Sequence, residues 1–299
     1  MTLTLAAAQY PITEFSDFAQ WKRHTAQWVG DAARRGARLL VFPEYGSMEL
    51  ASLLTVGEKA DLRKQVGGLS RLQDDFQEIF AELARQWEAT IVAPSFPVME
   101  AEKMVNRAYI FGPKGLAGFQ DKFFMTRFEN EEWGVQSGQQ TLKIFEAEWG
   151  IFGVQICYDV EFPLGTALMC AAGAELIVAP SCTETIRGAT RVHVGARARA
   201  LENQCFVAVA QTVGDASWSP AVDINYGQAA VYTTPDKGLP EEGIVALMQP
   251  QKPGWLVQEI DFEKIKNVRT AGQVFNFRDN QGINYGLAEK EIQVVREII

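Results

Sequence analysis

The sequence predicts an α/β protein, read as one domain with two sheet layers covered by helices. Three observations carry this. Short apolar runs alternate with stretches of helical spacing through the first hundred residues. Two hairpin-like stretches follow, after which the alternation resumes. No Pro/Gly/Ser-rich linker separates the two halves, so residues 1–299 read as a single domain long enough to bury a large core.

Taken in order, LTLAAAQ reads as a first strand. Asp17 to Ala37 reads as an amphipathic helix with Phe18, Trp21, Trp28 and Ala32 on one face, interrupted by Thr25. ARLLVFP is a short buried strand. LSRLQDDFQEIFAELARQW is helical, with Leu72, Phe76, Ile79, Phe80 and Leu83 in register, and ATIVAPS is the next strand. MVNRAYIFGPKGLAGFQDK reads as a hairpin around Gly-Pro-Lys-Gly, and LKIFEAEWGIFGVQIC as a second around Trp149-Gly150. A helix in LGTALMCAAGA, the strand ELIVAPS, a long helix to about Gln204 and the strand CFVAVAQ form the second half. The tail adds the strand GWLVQEIDF and a short helix at Glu263 to Arg269.

Composition excludes several classes. The formal net charge is -9 and no Lys/Arg stripe stands out, which argues against a nucleic-acid partner. The start, MTLTLAAAQYPITEF, lacks a basic n-region, and no uncharged run approaches a membrane span; a cytoplasmic location with no membrane partner is expected. The cysteines Cys157, Cys170, Cys182 and Cys205 have neither disulfide-framework nor zinc-knuckle spacing, and only His24 and His193 could join a histidine site. Reduced thiols and no metal or cofactor are expected.

Three polar residues fall just past the ends of apolar strands: Glu44 after LLVFP, Lys122 after GFQD and Cys157 after GVQI. In open α/β sheets, ligands bind beyond the carboxyl ends of strands. There a cysteine can attack a carbonyl or nitrile carbon, a carboxylate can take and return its proton, and an ammonium can hold the oxyanion. Each residue also has a plain reading. Cys157 can be a buried small hydrophobe, Glu44 a solvated turn residue and Lys122 a surface ion-pair partner of Asp121.

FPEYG around Glu44, QDKFFMTRFENEEWG around Lys122 and GVQICYDVEFP around Cys157 resemble, in order and in neighbours, the three motifs of the nitrilase superfamily of carbon-nitrogen hydrolases. VNRAYIFGPKG, LIVAPS and ARALENQCFVAVAQ agree with it, so the likeness runs from about residue 3 to about residue 270. The resemblance implies a four-layer αββα sandwich that usually dimerises. It also implies Glu44 as general base, Lys122 as oxyanion-stabilising cation, Cys157 as nucleophile, and the Tyr158 backbone N–H as a further oxyanion donor. A supporting glutamate maps to Glu129, with Glu131 and Glu132 as rivals. Nitrilases tend to have Trp-Glu after the nucleophile. Here Tyr158-Asp159 is more similar to the amidase branches, whereas Thr126, Glu129, Trp133 and Gly134 keep nitrilase-like spacing, with Met125 where those carry proline.

The expected function is therefore a thiol hydrolase cleaving a non-peptide carbon-nitrogen bond in a small amide or carbamoyl compound through a cysteine thioester. The alternatives are a nitrilase with the same residues, a Cys-His thiol protease pairing Cys157 with His193, and a non-catalytic binding protein on the same fold. Tyr45, Thr126, Phe162, Cys182 and Thr183 are expected to line the substrate pocket, and Cys170 to pack inside its helix. Arg191, Arg197 and Arg199 are read as ion-pair partners, of which one could reach a substrate carboxylate. The apolar tail residues Ile265, Val268, Val274, Phe275 and Phe277 predict that about 260–299 packs at the interface of a homodimer or higher homo-oligomer.

Overall fold

The architecture comes from a computed structural model, described here for residues 1–288 and for side chains through residue 282. The first half holds strands β1 (Thr2–Pro11), β2 (Leu39–Val41), β3 (Thr90–Val92), β4 (Phe96–Glu100), β5 (Lys103–Gly112) and β6 (Gly115–Asp121). Its helices are α1 (Phe18–Arg34), α2 (Val56–Lys59), α3 (Leu62–Ser70) and α4 (Gln73–Gln86). The second half holds β7 (Ile144–Ala147), β8 (Gly150–Val154), β9 (Leu176–Ser181), β10 (Phe206–Asp215), β11 (Ile224–Asn225), β12 (Ala230–Tyr232) and β13 (Ile244–Leu247). With them come α5 (Pro163–Ala171) and α6 (Ile186–Asn203). Strand β14 (Gly254–Asp261) and helices α7 (Phe262–Ala271) and α8 (Asn276–Ala288) complete the described chain.

The strands form one hydrogen-bonded path in the order β4-β5-β3-β2-β1-β10-β9-β8-β7, with β6 added to β5 and β14 to β1. β1 joins the halves. It pairs antiparallel with β14 from Thr2 to Gln9, and its last residues, Gln9 to Pro11, pair parallel with β10. Because side chains alternate along a strand, the two faces of β1 enter different cores. Ala6, Ala8 and Tyr10 pack with Trp21 and Val29 of α1 and Phe76 and Phe80 of α4. Leu3, Leu5 and Ala7 pack with the second-half strands, whose cluster also takes in Val192 and Ala196 of α6. The layers are thus helix, sheet, sheet, helix, as expected.

Element identities agree with the sequence in most places. Helix α1 starts where Asp17 caps it, accepting the Gln20 N–H at 2.8 Å. Thr25 does not interrupt the apolar face but lies buried on it. Leu69 and Ser70 end α3 rather than begin α4, and the chain turns at Arg71 and Leu72. The spacing of Leu69, Leu72 and Phe76 continues through that break, so periodicity could not mark it.

The tail differs more. Ile265 and Val268 are buried in this chain's own core, and Phe277 packs against that core under the Arg269 guanidinium, 4.0 Å from its ring. Those three residues face this chain's own core, whereas Val274 of the same tail is exposed. Residues 289–299 of the expected interface segment lie outside the described residues.

Candidate active site

Glu44 stands in the turn after β2. Phe42 extends the pairing by donating its N–H to Val92, and Tyr45 turns the chain with a left-handed φ of 54°. The turn is pinned from below: the Tyr45 N–H donates to Ser95 Oγ at 2.9 Å, and the Ser47 hydroxyl donates to the Ser95 carbonyl at 2.6 Å. The Glu44 side chain is consequently directed inward, and the residue is 1% exposed. A solvated turn carboxylate is excluded.

Lys122 follows the last residue of β6. That residue, Asp121, is fixed by a buried fork from Arg107, with Nε to Oδ1 at 2.6 Å and a terminal nitrogen to Oδ2 at 2.9 Å. Lys122 itself is 1% exposed and makes no pair with Asp121. Its Nζ donates to Glu44 Oε1 at 2.7 Å and to Glu129 Oε2 at 2.6 Å. An ammonium has three donors, and two go to these carboxylates.

Glu129 opens a single wide turn, Glu129–Trp133, and is buried, whereas Glu131 and Glu132 face solvent. Its Oε2 also accepts from the Thr126 N–H and hydroxyl, each at 2.9 Å, and its Oε1 accepts from the Tyr45 hydroxyl at 2.8 Å. Trp133 packs edge-on against Tyr45, 5.0 Å between ring centres.

Cys157 begins a 3₁₀ turn, Cys157–Glu161, just past β8. Its φ of 50° is left-handed, a conformation that costs a non-glycine residue about 1–3 kcal/mol and persists only where surrounding contacts impose it. The Sγ donates to the Cys182 carbonyl at 3.7 Å, and the thiol lies near enough to Glu44 to feel its charge. The second oxygen of Glu44 accepts the Cys182 N–H at 3.0 Å. Cys182 therefore forms the wall behind the thiol.

The protonation states follow from this arrangement. Burial raises the Glu44 carboxyl above the usual carboxylate range, against the pull of the Lys122 ammonium. Burial works the same way on Glu129, yet Lys122 and the Thr126 and Tyr45 donors outweigh it and hold that carboxyl low. Lys122 is penalised by burial, but Glu129 and Glu44 keep its proton well above the usual lysine range. Burial and the Glu44 charge push the Cys157 thiol well up. Two carboxylates around one ammonium form a paired buried cluster, which a lone buried charge could not match. The resting site thus holds a protonated thiol beside a carboxylate able to accept its proton.

These groups meet at a cleft of about 680 Å³ whose lining includes Tyr45, Thr126, Tyr158, Cys182 and Thr183. Phe162 does not line it. That side chain stacks on Phe124 at 4.0 Å between ring centres and faces a neighbouring shallow pocket, because Phe162 has left the 3₁₀ turn in extended conformation to enter α5 at Pro163. Both ring nitrogens of His193 are engaged, by the Tyr232 hydroxyl at 2.8 Å and Gln211 Oε1 at 3.0 Å, and the ring is not in the cleft wall. Cys170 and Cys205 are buried in the core. Arg199 pairs with Glu202 and donates to the Val160 carbonyl; Arg197 donates to the Glu242 carbonyl; Arg191 lies at the cleft beside Glu161.

Two site residues escaped the sequence reading. Asn106 on β5 donates to Glu44 Oε1 at 2.9 Å and contacts Glu129 Oε1 at 3.4 Å, bridging both carboxylates, while its carbonyl accepts the Lys122 N–H. An asparagine next to Arg107 inside the strand-like VNRAYIF was the available signal. Asp159, buried in the thiol's own turn, is the other.

The sequence matches the carbon-nitrogen hydrolase family over residues 4–270. This chain belongs to the carbon-nitrogen hydrolase family. It is 29% identical over 287 residues to the probable hydrolase YhcX of Bacillus subtilis, covering 96% of this chain and 55% of that protein. The chain thus spans about half the length of YhcX. It is 25% identical to the deaminated glutathione amidase of Synechocystis, covering 88% of this chain and 94% of that one. The carbon-nitrogen hydrolase fold recurs in Saccharomyces cerevisiae Nit3, a member of the nitrilase superfamily, with a TM-score of 0.71 at 22% identity over 90% of this chain and 94% of that one. The carbon-nitrogen hydrolase of Helicobacter pylori superposes with a TM-score of 0.78 at 17% identity, covering 96% and 98%. Among the described residues, no helix is long and apolar enough to cross a membrane.

Proposed function

We propose that the chain hydrolyses the carbon-nitrogen bond of a small amide or carbamoyl compound through a thioester on Cys157. The observation that carries this reading is the buried Lys122, held by Glu44 and Glu129, in one cleft with a thiol that Cys182 links to Glu44. As the Cys157 sulfur bonds to the carbonyl carbon, its proton passes to Glu44. The carbonyl π electrons move to oxygen, where the remaining Lys122 donor and the Tyr158 backbone N–H receive the charge. Collapse re-forms the carbonyl and breaks the C–N bond as Glu44 returns the proton to the leaving amine or ammonia. Water then gives its proton to Glu44 while attacking the thioester, and breakdown restores the thiol and releases the acid. A carboxyl raised by burial suits this double duty near neutral pH. Glu129 holds Lys122 in place and keeps it charged.

The amide reading is favoured by the Tyr158-Asp159 pair after the nucleophile and by relatives named as amidases. The test is ammonia release from a panel of small amides, carbamoyl compounds and nitriles, with Cys157→Ala as control, together with peptide mapping after brief alkylation. Turnover on an amide, its loss in Cys157→Ala, and labelling of Cys157 ahead of Cys170, Cys182 and Cys205 are expected. Turnover confined to nitriles would replace the substrate class. Preferential labelling of Cys182, whose thiol burial pushes up to about 12, would displace the nucleophile.

A further inference from the structure

The turn carrying Cys157 holds a second carboxyl that the reaction above does not use. Asp159 is 2% exposed and is absent from the cleft lining. Its side chain is directed instead at the segment that follows Lys122. Oδ1 accepts the Phe124 N–H at 2.8 Å and the Phe123 N–H at 3.2 Å, and Oδ2 accepts the Phe123 N–H at 3.2 Å. Phe123 is the residue next to Lys122.

This link matters because the sheet does not supply it. Lys122 leaves β6, whose strand partner is β5, while Cys157 leaves β8, which pairs with β7 and β9. No ladder runs between those two strands, so their ends are placed relative to each other by loop contacts. On its other side the Cys157 turn is anchored to α6, where Arg199 donates to the Val160 carbonyl at 3.0 Å. Asp159 supplies the opposite anchor, toward the lysine.

We propose that Asp159 is a positioning residue that sets the placement of the Lys122 ammonium relative to the Cys157 sulfur. The inference rests on the reaction proposed above. A carboxylate accepting backbone N–H groups makes short charge-assisted bonds with a fixed direction, whereas an amide offers one acceptor and turns its NH₂ toward a backbone N–H. Burial pushes the Asp159 carboxyl up to about 7, with the Lys122 ammonium and the two amides pulling it down and Glu44 adding to the rise. A displacement of about 1 Å between nucleophile and cation is enough to cost about 10²-fold in rate.

The experiment compares wild type, Asp159→Asn and Cys157→Ala on one amide substrate, with melting curves. Asp159→Asn is expected to fold, to lower kcat by at least about 10-fold and to leave KM within about threefold, because the lost alignment is felt in the transition state. Wild-type kcat in folded Asp159→Asn overturns the positioning role, as does a change confined to KM. If Asp159→Asn does not fold, Asp159→Glu is read the same way: it keeps the charge but lengthens the clamp by one methylene, so the proposal requires the same loss of kcat. Wild-type turnover in Cys157→Ala would instead overturn the underlying thioester reading, so the two failures are distinguishable.

Discussion

Glu44 and Lys122 sit 2.7 Å apart with both side chains buried, and either could in principle be a purely structural half of a buried ion pair. Kinetics separates the two roles. Glu44→Gln and Lys122→Ala should each lower kcat by roughly 10²-fold or more, since each acts on charge that develops in the transition state. The double variant should lose far less than the product of the two effects, because the residues work as one unit. Near wild-type turnover in either folded single variant would remove that residue from the mechanism. A different buried carboxyl, Glu49, titrates without touching the cleft. It accepts from the Tyr10 hydroxyl at 2.9 Å and the Trp21 ring N–H at 2.8 Å, and burial raises it to about 8. Between its unfolded value near 4.5 and about 8 the folded chain holds a proton that the unfolded chain has lost. Stability should therefore fall as pH rises through that window, by up to about 1.4 kcal/mol per unit, and level off above it. Glu49→Gln should lack this component. Melting curves at pH 5.5 and 8 would show the variant gaining on wild type, and a pH-independent gap would contradict the assignment.

At the scale of elements, α6 lies against the 3₁₀ turn of Cys157 with no room to spare. A Cβ on Gly195 would stand 2.9 Å from the Val160 carbonyl and 3.1 Å from the Glu161 Cα, both backbone atoms that cannot rotate away. Gly195→Ala should therefore push α6 and the turn apart, costing about 1–3 kcal/mol of stability, and should lower kcat as well. A lowered melting temperature with unchanged kcat would show that the turn tolerates the shift. Much of this layout could be read from the chain. The strands and most helices announce themselves through periodicity, and Glu44, Lys122 and Cys157 each follow an apolar strand. Three things could not be read that way. The break at Leu72 is masked by continuous spacing. The choice of Glu129 over Glu131 and Glu132 depends on which side of one wide turn faces inward, and that is set by Thr126 and Tyr45. Asn106 and Asp159 act through partners 23 to 62 residues away, and nothing local in the sequence distinguishes them from satisfied core polar groups.

For the whole molecule, the expectation of self-association takes in a second surface beside the tail. With Ile265 and Val268 turned into their own core, the apolar side chains left open include Leu164 and Leu168 on α5 and Val194 and Leu201 on α6, neighbouring helices on the outer layer. We propose that a second copy of this chain covers that face, in line with the dimers implied by the family resemblance. Light scattering should give a mass about twice 33.2 kDa, reduced to one copy by Leu168→Glu with Val194→Glu. A monomeric wild type at micromolar concentration would refute it.

The pairing of β1 with β14 has a consequence for how the chain is born. Thr2 lies opposite Asp261, and the Met1 carbonyl accepts the Phe262 N–H at 3.0 Å, so β1 is completed by a strand far along the chain. At roughly 5–20 residues per second, β1 waits on the order of ten seconds or more on the ribosome before β14 emerges. Meanwhile its Ala-rich, apolar length is an unpaired edge of the kind that joins the wrong neighbour. Ribosome-bound chains lacking residues 254–261 are thus expected to bind chaperones, and the sequence separation that closes the sandwich is expected to slow folding.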